Sequence, residues 1–339
     1  MTTETVVRLP ETTDVEAAAQ TLDGHAITTP LVESEFLNER AGARVLVKAE
    51  CLQRTGSFKY RGAFNRLSRL DDAARRRGVV AFPRGNHVFG VAGAARDLDI
   101  PATIVLADDD PPWKIAVCRA YRAEVVLFER KNEDWAELNR QLEALGVRVA
   151  DERGATIIRP YDDAEVTAGH GTVGLEIVTQ ARAMDARLDA VLVPCARGGL
   201  CAGVALAVSA ASPDTEILAV EPVGFDDTAR SLAAGALLSN EDGAQSICDG
   251  LLSPSQGELN FALNQRFVAG GLVVSDTETL KAMKAAFSDL KLVAEPSGAI
   301  GLGAILGGIF DARGKTVCVI CSGGNVDSAT FRSALGTEP

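Results

Sequence analysis

Four short stretches of the chain set reactive or anion-binding groups beside glycine. The first, Gln53-Arg54-Thr55-Gly56-Ser57-Phe58-Lys59-Tyr60-Arg61-Gly62-Ala63, surrounds Lys59 with small polar residues, an aromatic ring and two arginines. Such a lysine is either a nucleophile, useful once burial and nearby cations deprotonate part of it, or a surface lysine at a helix start. The second is Gly85-Asn86-His87, with Gly90 and Gly93 beyond it. A glycine turn opening a helix offers free N–H groups to an anion, or is simply a tight strand-to-helix connection in which His87 is structural. The third, Pro194-Cys195-Ala196-Arg197-Gly198-Gly199-Leu200-Cys201-Ala202-Gly203, lets backbone amides approach a phosphate, with Arg197 able to add a charge-assisted contact. It has neither the Lys-Ser/Thr of a Walker loop nor the spacing of a dinucleotide fingerprint. The fourth, Cys321-Ser322-Gly323-Gly324-Asn325-Val326-Asp327, is by itself a turn signal.

Each stretch follows, or closely follows, an apolar run. Runs rich in β-branched residues recur at Val45–Val47, Val79–Phe82, Thr103–Leu106, Val125–Phe128, Thr156–Ile158, Ala190–Val193, Ile217–Val220 and Thr316–Ile320, with helical segments between them. Strands buried on both faces and separated by helices predict a parallel sheet covered by helices, the α/β class. Ligands of such sheets bind at the carboxyl ends of the strands, where the four stretches lie. Ser275 and Glu278 spell a capping box. Arg75-Arg76-Arg77 before Gly78 reads as a solvated helix C-terminus, and Gly298–Phe310 as a buried helix. No linker, low-complexity tract or solenoid period interrupts the alternation, so a second domain must be a compact neighbour or an insertion.

The chain has 339 residues, enough for two domains or one large α/β unit, and its 34 basic against 46 acidic residues give a formal charge of −12. That balance argues against nucleic acid and anionic membranes as partners, and no apolar stretch approaches the roughly 20 residues of a membrane span. The seven cysteines, at 51, 118, 195, 201, 248, 318 and 321, lack the spacing of a zinc ribbon or a secreted disulfide framework. Cys318 and Cys321 have redox spacing but straddle a strand end, which favours core packing. With an acidic N-terminus unlike a signal peptide, a cytoplasmic location is expected.

The ordered combination of Ser-Phe-Lys-x-Arg-Gly-Ala, Gly-Asn-His, a glycine loop after an apolar strand and Ser-Gly-Gly-Asn closely resembles the fold-type II pyridoxal-phosphate enzymes, above all the threonine/serine dehydratases and serine racemases. The resemblance runs from Thr29-Pro30-Leu31 through Thr167-Ala168-Gly169-His170-Gly171-Thr172 and Glu295-Pro296-Ser297-Gly298-Ala299 to Asp327.

The resemblance implies two parallel-sheet α/β domains of tryptophan synthase β-like fold, with pyridoxal 5'-phosphate between them. Residues 1–78 and 155–339 would form the larger, discontinuous domain, and 79–154 a smaller inserted one that closes over substrate. It implies that Lys59 forms the Schiff base and, once freed, takes the substrate Cα proton. Phe58, Asn86, Arg197, Gly198, Gly199, Leu200 and Ser322 would contact the cofactor, with Asn86 at its phenolic oxygen, the glycines at its phosphate and Ser322 opposite its pyridine nitrogen. A neutral hydroxyl there suits elimination better than transamination. Arg84, Gly85, Asn86 and His87 would hold the substrate. Glu221 and Asp227 with the Phe225 carbonyl match a divalent-ion site suited to magnesium or calcium, an acidic surface turn being the plainer alternative. A small amino-acid substrate and a homodimer are expected. With the sequence ending soon after Asp327, feedback inhibition through the C-terminal regulatory domain of biosynthetic threonine dehydratases is not expected.

The expected activity is a β-eliminating ammonia-lyase acting on a hydroxy amino acid and releasing a 2-oxo acid and ammonia. A racemase, a β-replacement synthase and a weakly active or noncatalytic homologue are the alternatives. The departures are specific. Pro83-Arg84 replaces the usual Ser-Ser or Ser-Ala, Phe89 replaces a glutamine, and Ala196-Arg197-Gly198-Gly199 replaces a run of four glycines. In the racemases a serine at the Arg84 position acts on the face opposite the lysine. Arginine stays protonated and cannot be that base, so two-base racemisation is disfavoured. Arg197 either replaces the lost amide contacts of the phosphate loop or, with Arg84, selects a substrate with a second acidic group such as 3-hydroxyaspartate. Blockage of the usual pocket by Arg84 is the competing reading.

Overall fold

The computed structural model describes residues 8–82, 85–130 and 135–338, so Pro83 and Arg84 lie outside the described residues. Among the described residues ten strands form two sheets. The six-stranded sheet has the order β1-β2-β10-β7-β8-β9, built from β1 (Leu31–Glu33), β2 (Arg44–Lys48), β7 (Ala190–Pro194), β8 (Glu216–Pro222), β9 (Gly270–Val274) and β10 (Thr316–Ile320). All its pairings are parallel except β1 with β2. The four-stranded sheet, order β5-β4-β3-β6, is wholly parallel and comprises β3 (Val79–Ala81), β4 (Ala102–Ala107), β5 (Glu124–Phe128) and β6 (Thr156–Ile157).

The period of two along each strand splits the large sheet's core. Val45, Val47, Leu192, Val317 and Val319 point to one face, whereas Leu46, Val191, Val193, Cys318 and Ile320 point to the other. Helices cover both faces, which is why every apolar run reads as continuously hydrophobic. Cys318 therefore lies under one face, while Cys321 packs in the core of the other. Burial pushes the Cys318 thiol up to about 12, so this pair packs as core rather than as a dithiol.

Several local expectations hold. Ser275 accepts from the Glu278 N–H while the Glu278 carboxylate accepts from the Ser275 N–H. The triple arginine ends the helix Asp72–Arg77, and Pro296–Leu306 is a buried helix. Two strands are not legible in the sequence: β1 is a three-residue antiparallel edge, and β9 begins with Gly270-Gly271, which carries no strand propensity. β6 pairs with β3 and so belongs to the smaller sheet, although it falls after residue 154. The helix Lys59–Ser68 likewise contributes Tyr60, Ala63, Phe64 and Leu67 to the core beside β3 and β4.

Candidate active site

Three of the four stretches leave the carboxyl ends of β2, β10 and β7, which are consecutive neighbours in the large sheet, and the fourth leaves β3. The exits of β2 and β10 are tied together by backbone bonds. Cys51 N–H donates to the Cys321 carbonyl (2.9 Å), Phe58 N–H to the Ser322 carbonyl (3.1 Å) and Gly324 N–H to the Gly56 carbonyl (2.9 Å), with Ser57 bridging Gly323. Ser322 is thereby held beside the turn that launches Lys59.

Lys59 opens its helix, and its amine stands 4.8 Å from the centre of the Phe58 ring. Burial pushes the amine down to about 8, against the weaker pull of the Glu295 carboxylate. No carboxylate lies within ion-pair distance of it among the described residues. The neighbouring helix Asn86–Asp97 crosses at Gly90, where a Cβ would stand 2.8 Å from the Lys59 carbonyl carbon. Only glycine permits that approach, which sets the helix carrying Asn86 against the start of the Lys59 helix.

Two buried histidines face the same amine. His87 Nε2 bonds to the Ile158 carbonyl at 2.9 Å and must donate to it, so Nδ1 is a bare acceptor, without a partner. Burial and the Lys59 charge hold His87 down at about 3. His170, edge-on to the Phe58 ring at 4.7 Å, has neither nitrogen partnered and is held well below its ordinary value by burial first and then by Lys59. Burial and the Lys59 charge thus bias both rings toward the neutral form.

The glycine loop after β7 is supported from beneath by residues that no motif announced. Asn260 Nδ2 donates to the Arg197 carbonyl at 2.8 Å, as does the Gly257 N–H at 3.1 Å, and Asn264 Nδ2 donates to Gln256 Oε1 at 2.6 Å. Gly198 has φ +86, and a Cβ on it would stand 2.8 Å from both Asn264 Nδ2 and Gln256 Oε1. The helix Gly199–Ala211 begins there, so the N–H groups of Gly199, Leu200 and Cys201 have no intrahelical acceptor. Arg197 lies with its guanidinium 4.3 Å from the centre of the Tyr161 ring, a stacking contact that leaves its N–H donors usable. Ser322 is buried, and its hydroxyl reaches the Ser297 carbonyl at 3.4 Å.

Arg61, two residues after Lys59, is buried and turned away from the site. It grips Glu50 with two 2.8 Å bonds and Glu176 with bonds of 2.6 and 2.9 Å. Lys48 also bonds Glu176, and Thr29 bonds Glu50. This ionic core anchors the lysine-bearing helix to β2 and to the helix Ala164–Ala183.

A model of the pyridoxal-phosphate dependent enzymes matches residues 22–323. The chain belongs to that family. It is 41% identical to the L-threo-3-hydroxyaspartate ammonia-lyase of Pseudomonas sp. over 95% of this chain and 97% of that protein. A solved structure of a T.th. threonine deaminase is 41% identical, with a TM-score of 0.86 over 94% of this chain and 99% of that one. Maize serine racemase superposes with a TM-score of 0.88 at 34% identity, covering 97% of each chain. The fold is therefore fold-type II, as the motifs implied.

The residues present fit the family's cofactor. A desolvated amine suits an aldehyde, and a glycine cradle at a helix N-terminus suits a phosphate. Elsewhere, at the end of β8, Glu221 accepts from the N–H groups of Thr228 and Ala229 (both 2.9 Å), capping the helix Asp227–Ala234. Asp227 Oδ1 accepts from Asn240 at 2.6 Å, whereas its buried Oδ2 has no partner. Burial pushes Glu221 up to about 8 and Asp227 up to about 6. Among the described residues no cluster of three or more His, Cys, Asp or Glu forms a metal site, so a cation here would rely on the Phe225 carbonyl as well as the two acids.

Proposed function

We propose that this chain is an ammonia-lyase that removes the β-hydroxyl of a hydroxy amino acid and releases a 2-oxo acid and ammonia. The observation that carries this reading is Lys59: an amine with no ion partner among the described residues, lowered to about 8 by burial, with two buried histidines held below their ordinary range nearby and a glycine-cradled helix N-terminus at the neighbouring strand exit. When bound, pyridoxal phosphate supplies the aldehyde that captures an amine and the ring that accepts the electron pair released from Cα. Lys59, held at the base of the site by the Gly90 crossing, takes the Cα proton as general base. The N–H groups of Gly199 and Leu200, with Arg197, hold the phosphate, while Phe58 flanks the amine. The N-terminus of the helix Asn86–Asp97, with Gly85 before it and His87 within it, receives the substrate carboxylate, a task in which Arg84 would share. Ser322 offers the ring nitrogen a neutral partner, which favours elimination over transamination.

Substrates with a second carboxylate are favoured, a reading supported by Arg84, which precedes the Gly85-Asn86-His87 stretch in the sequence, and by the name of the Pseudomonas relative. The test is 2-oxo acid release from L-threo-3-hydroxyaspartate, threonine and serine by the wild type and by Arg84→Ser. Release from hydroxyaspartate, with a selectivity over threonine that Arg84→Ser weakens, is expected. Absence of 2-oxo acid from all three, with racemised serine recovered instead, overturns the lyase reading.

Three further assignments belong to this proposal. Residues 79–154 act as an inserted unit between 1–78 and 155–339, supported by β3, β4 and β5 lying side by side in one sheet, which β6 completes from beyond residue 154 and onto which the helix Lys59–Ser68 packs. Glu221, Asp227 and the Phe225 carbonyl bind magnesium or calcium, supported by two buried acids and the unpartnered Asp227 Oδ2. A homodimer in the cytoplasm is supported by seven unpaired, buried thiols and by exposed apolar side chains at Phe36, Phe287 and Val293.

A further inference from the structure

Glu295 takes no part in the chemistry above, yet its carboxyl is buried against Asn86. It sits at the N-cap of the helix Pro296–Leu306, and its Oε1 accepts from Asn86 Nδ2 at 2.5 Å. On the other side Asn86 Oδ1 accepts from Asn325 Nδ2 at 2.6 Å, and Asn325 Nδ2 also donates to the Thr55 carbonyl at 2.8 Å. The direction of this chain is forced. A backbone carbonyl only accepts, so Asn325 must present nitrogen to Thr55, and Asn86 must then present oxygen to Asn325 and nitrogen to Glu295. Two glycines make the room. A Cβ at Gly323 would stand 2.3 Å from Glu295 Oε1, and one at Gly56 2.4 Å from Asn325 Oδ1. Burial, with a smaller push from Asp249, raises the Glu295 carboxyl to about 8, and an oxygen of either protonation state can accept from Asn86.

We propose that Glu295 and Asn325 are positioning residues that lock the Asn86 carboxamide in one of its two orientations, so that its second N–H is presented to the phenolic oxygen of the cofactor. This rests on the assignment of Asn86 to that oxygen. With the amide reversed, an oxygen would face the phenolic oxygen and a nitrogen would face Asn325 Nδ2, two repulsive pairings, and Glu295 could be satisfied only by turning a carboxyl proton toward Asn86. Glu295 thus acts through Asn86, coupling the β3 and β10 exits across the site.

The test uses the holoenzyme and four variants: Asn86→Ala, Glu295→Ala, Glu295→Gln and Asn325→Ala. The readouts are the visible absorption band of the bound cofactor, its pH midpoint, and kcat and KM. Asn86→Ala is expected to shift the band. Glu295→Ala and Asn325→Ala should each reproduce part of that shift and lower kcat about tenfold, as loss of one buried hydrogen bond implies. Glu295→Gln keeps an acceptor oxygen and should retain the wild-type band. If Glu295→Ala fails to fold, Asn325→Ala reads the same lock from the other side. A shift in Asn86→Ala with wild-type bands in both alanine partners overturns the lock alone, as does equal damage from Glu295→Gln and Glu295→Ala. An unchanged band in Asn86→Ala overturns the underlying assignment, and the lock with it.

Discussion

Gly323 lies so close to Glu295 that a side chain on it would overlap the carboxylate: the Cβ of any other residue would stand 2.3 Å from Oε1 and 2.9 Å from Asn86 Nδ2. The exits of β3 and β10 and the start of the helix Pro296–Leu306 meet at this point. Gly323→Ala must push Glu295 or Asn86 aside. We expect it to cost about 1–3 kcal/mol of stability, the usual penalty for overpacking, and to weaken cofactor binding in parallel. Urea denaturation of the apoprotein and titration with pyridoxal phosphate measure the two effects. Wild-type values in both would mean the carboxyl moves freely.

Lys59 predicts a pH dependence with a definite sign. Its amine is lowered to about 8, chiefly by burial. Below that pH the protonated form dominates and cannot attack an aldehyde, so capture of pyridoxal phosphate by the apoprotein should accelerate about tenfold per pH unit up to about 8 and then level. Stopped-flow absorbance across pH 6 to 10 checks this. Lys59→Ala should abolish the spectral change of capture and lower turnover by about 10³-fold, since nucleophile and base are lost together.

Arg61 serves the same helix from its buried side. Replacing it by methionine leaves Glu50, and part of Glu176, as buried carboxylates without their partner. A loss of about 3–5 kcal/mol is expected, the cost of an uncompensated buried charge. Arg61→Lys should recover only part of it, because an ammonium cannot reproduce the bidentate grip on Glu50. Denaturant midpoints of the three proteins rank the effects.

Magnesium or calcium is expected to raise the melting temperature of the wild type by a few degrees at millimolar concentration, following the mass-action dependence of ligand stabilisation. Asp227→Asn removes one charged ligand and should abolish the rise. Equal shifts in the two proteins would assign the cation to another place.

The apolar runs and their spacing determined the parallel α/β class, since strands buried on both faces must be continuously hydrophobic whatever else the chain does. The reactive loops were legible for a related reason. Lys59, Asn86, Gly198 and Ser322 follow strand ends, and strand ends are where such sheets bind ligands. Asn260 and Asn264 were another matter, and so were the roles of Glu295, His170 and Asn325, although the stretches that contain these three carry the family resemblance. Nothing local distinguishes a glutamate that caps a helix in water from one pressed against Asn86, because burial and partner are properties of distant segments. The same holds for Arg61, which looked like a companion cation of Lys59 and instead points into an ionic core with Glu50 and Glu176. Cys318 and Cys321, three residues apart, are separated by the pleat onto opposite faces of one sheet. Residue type and order established which chemistry the chain can host. Only the packing of helices at Gly90, and of loops at Gly323, decided the distances, the desolvation that lowers the Lys59 amine, and the orientation of the amide beside it.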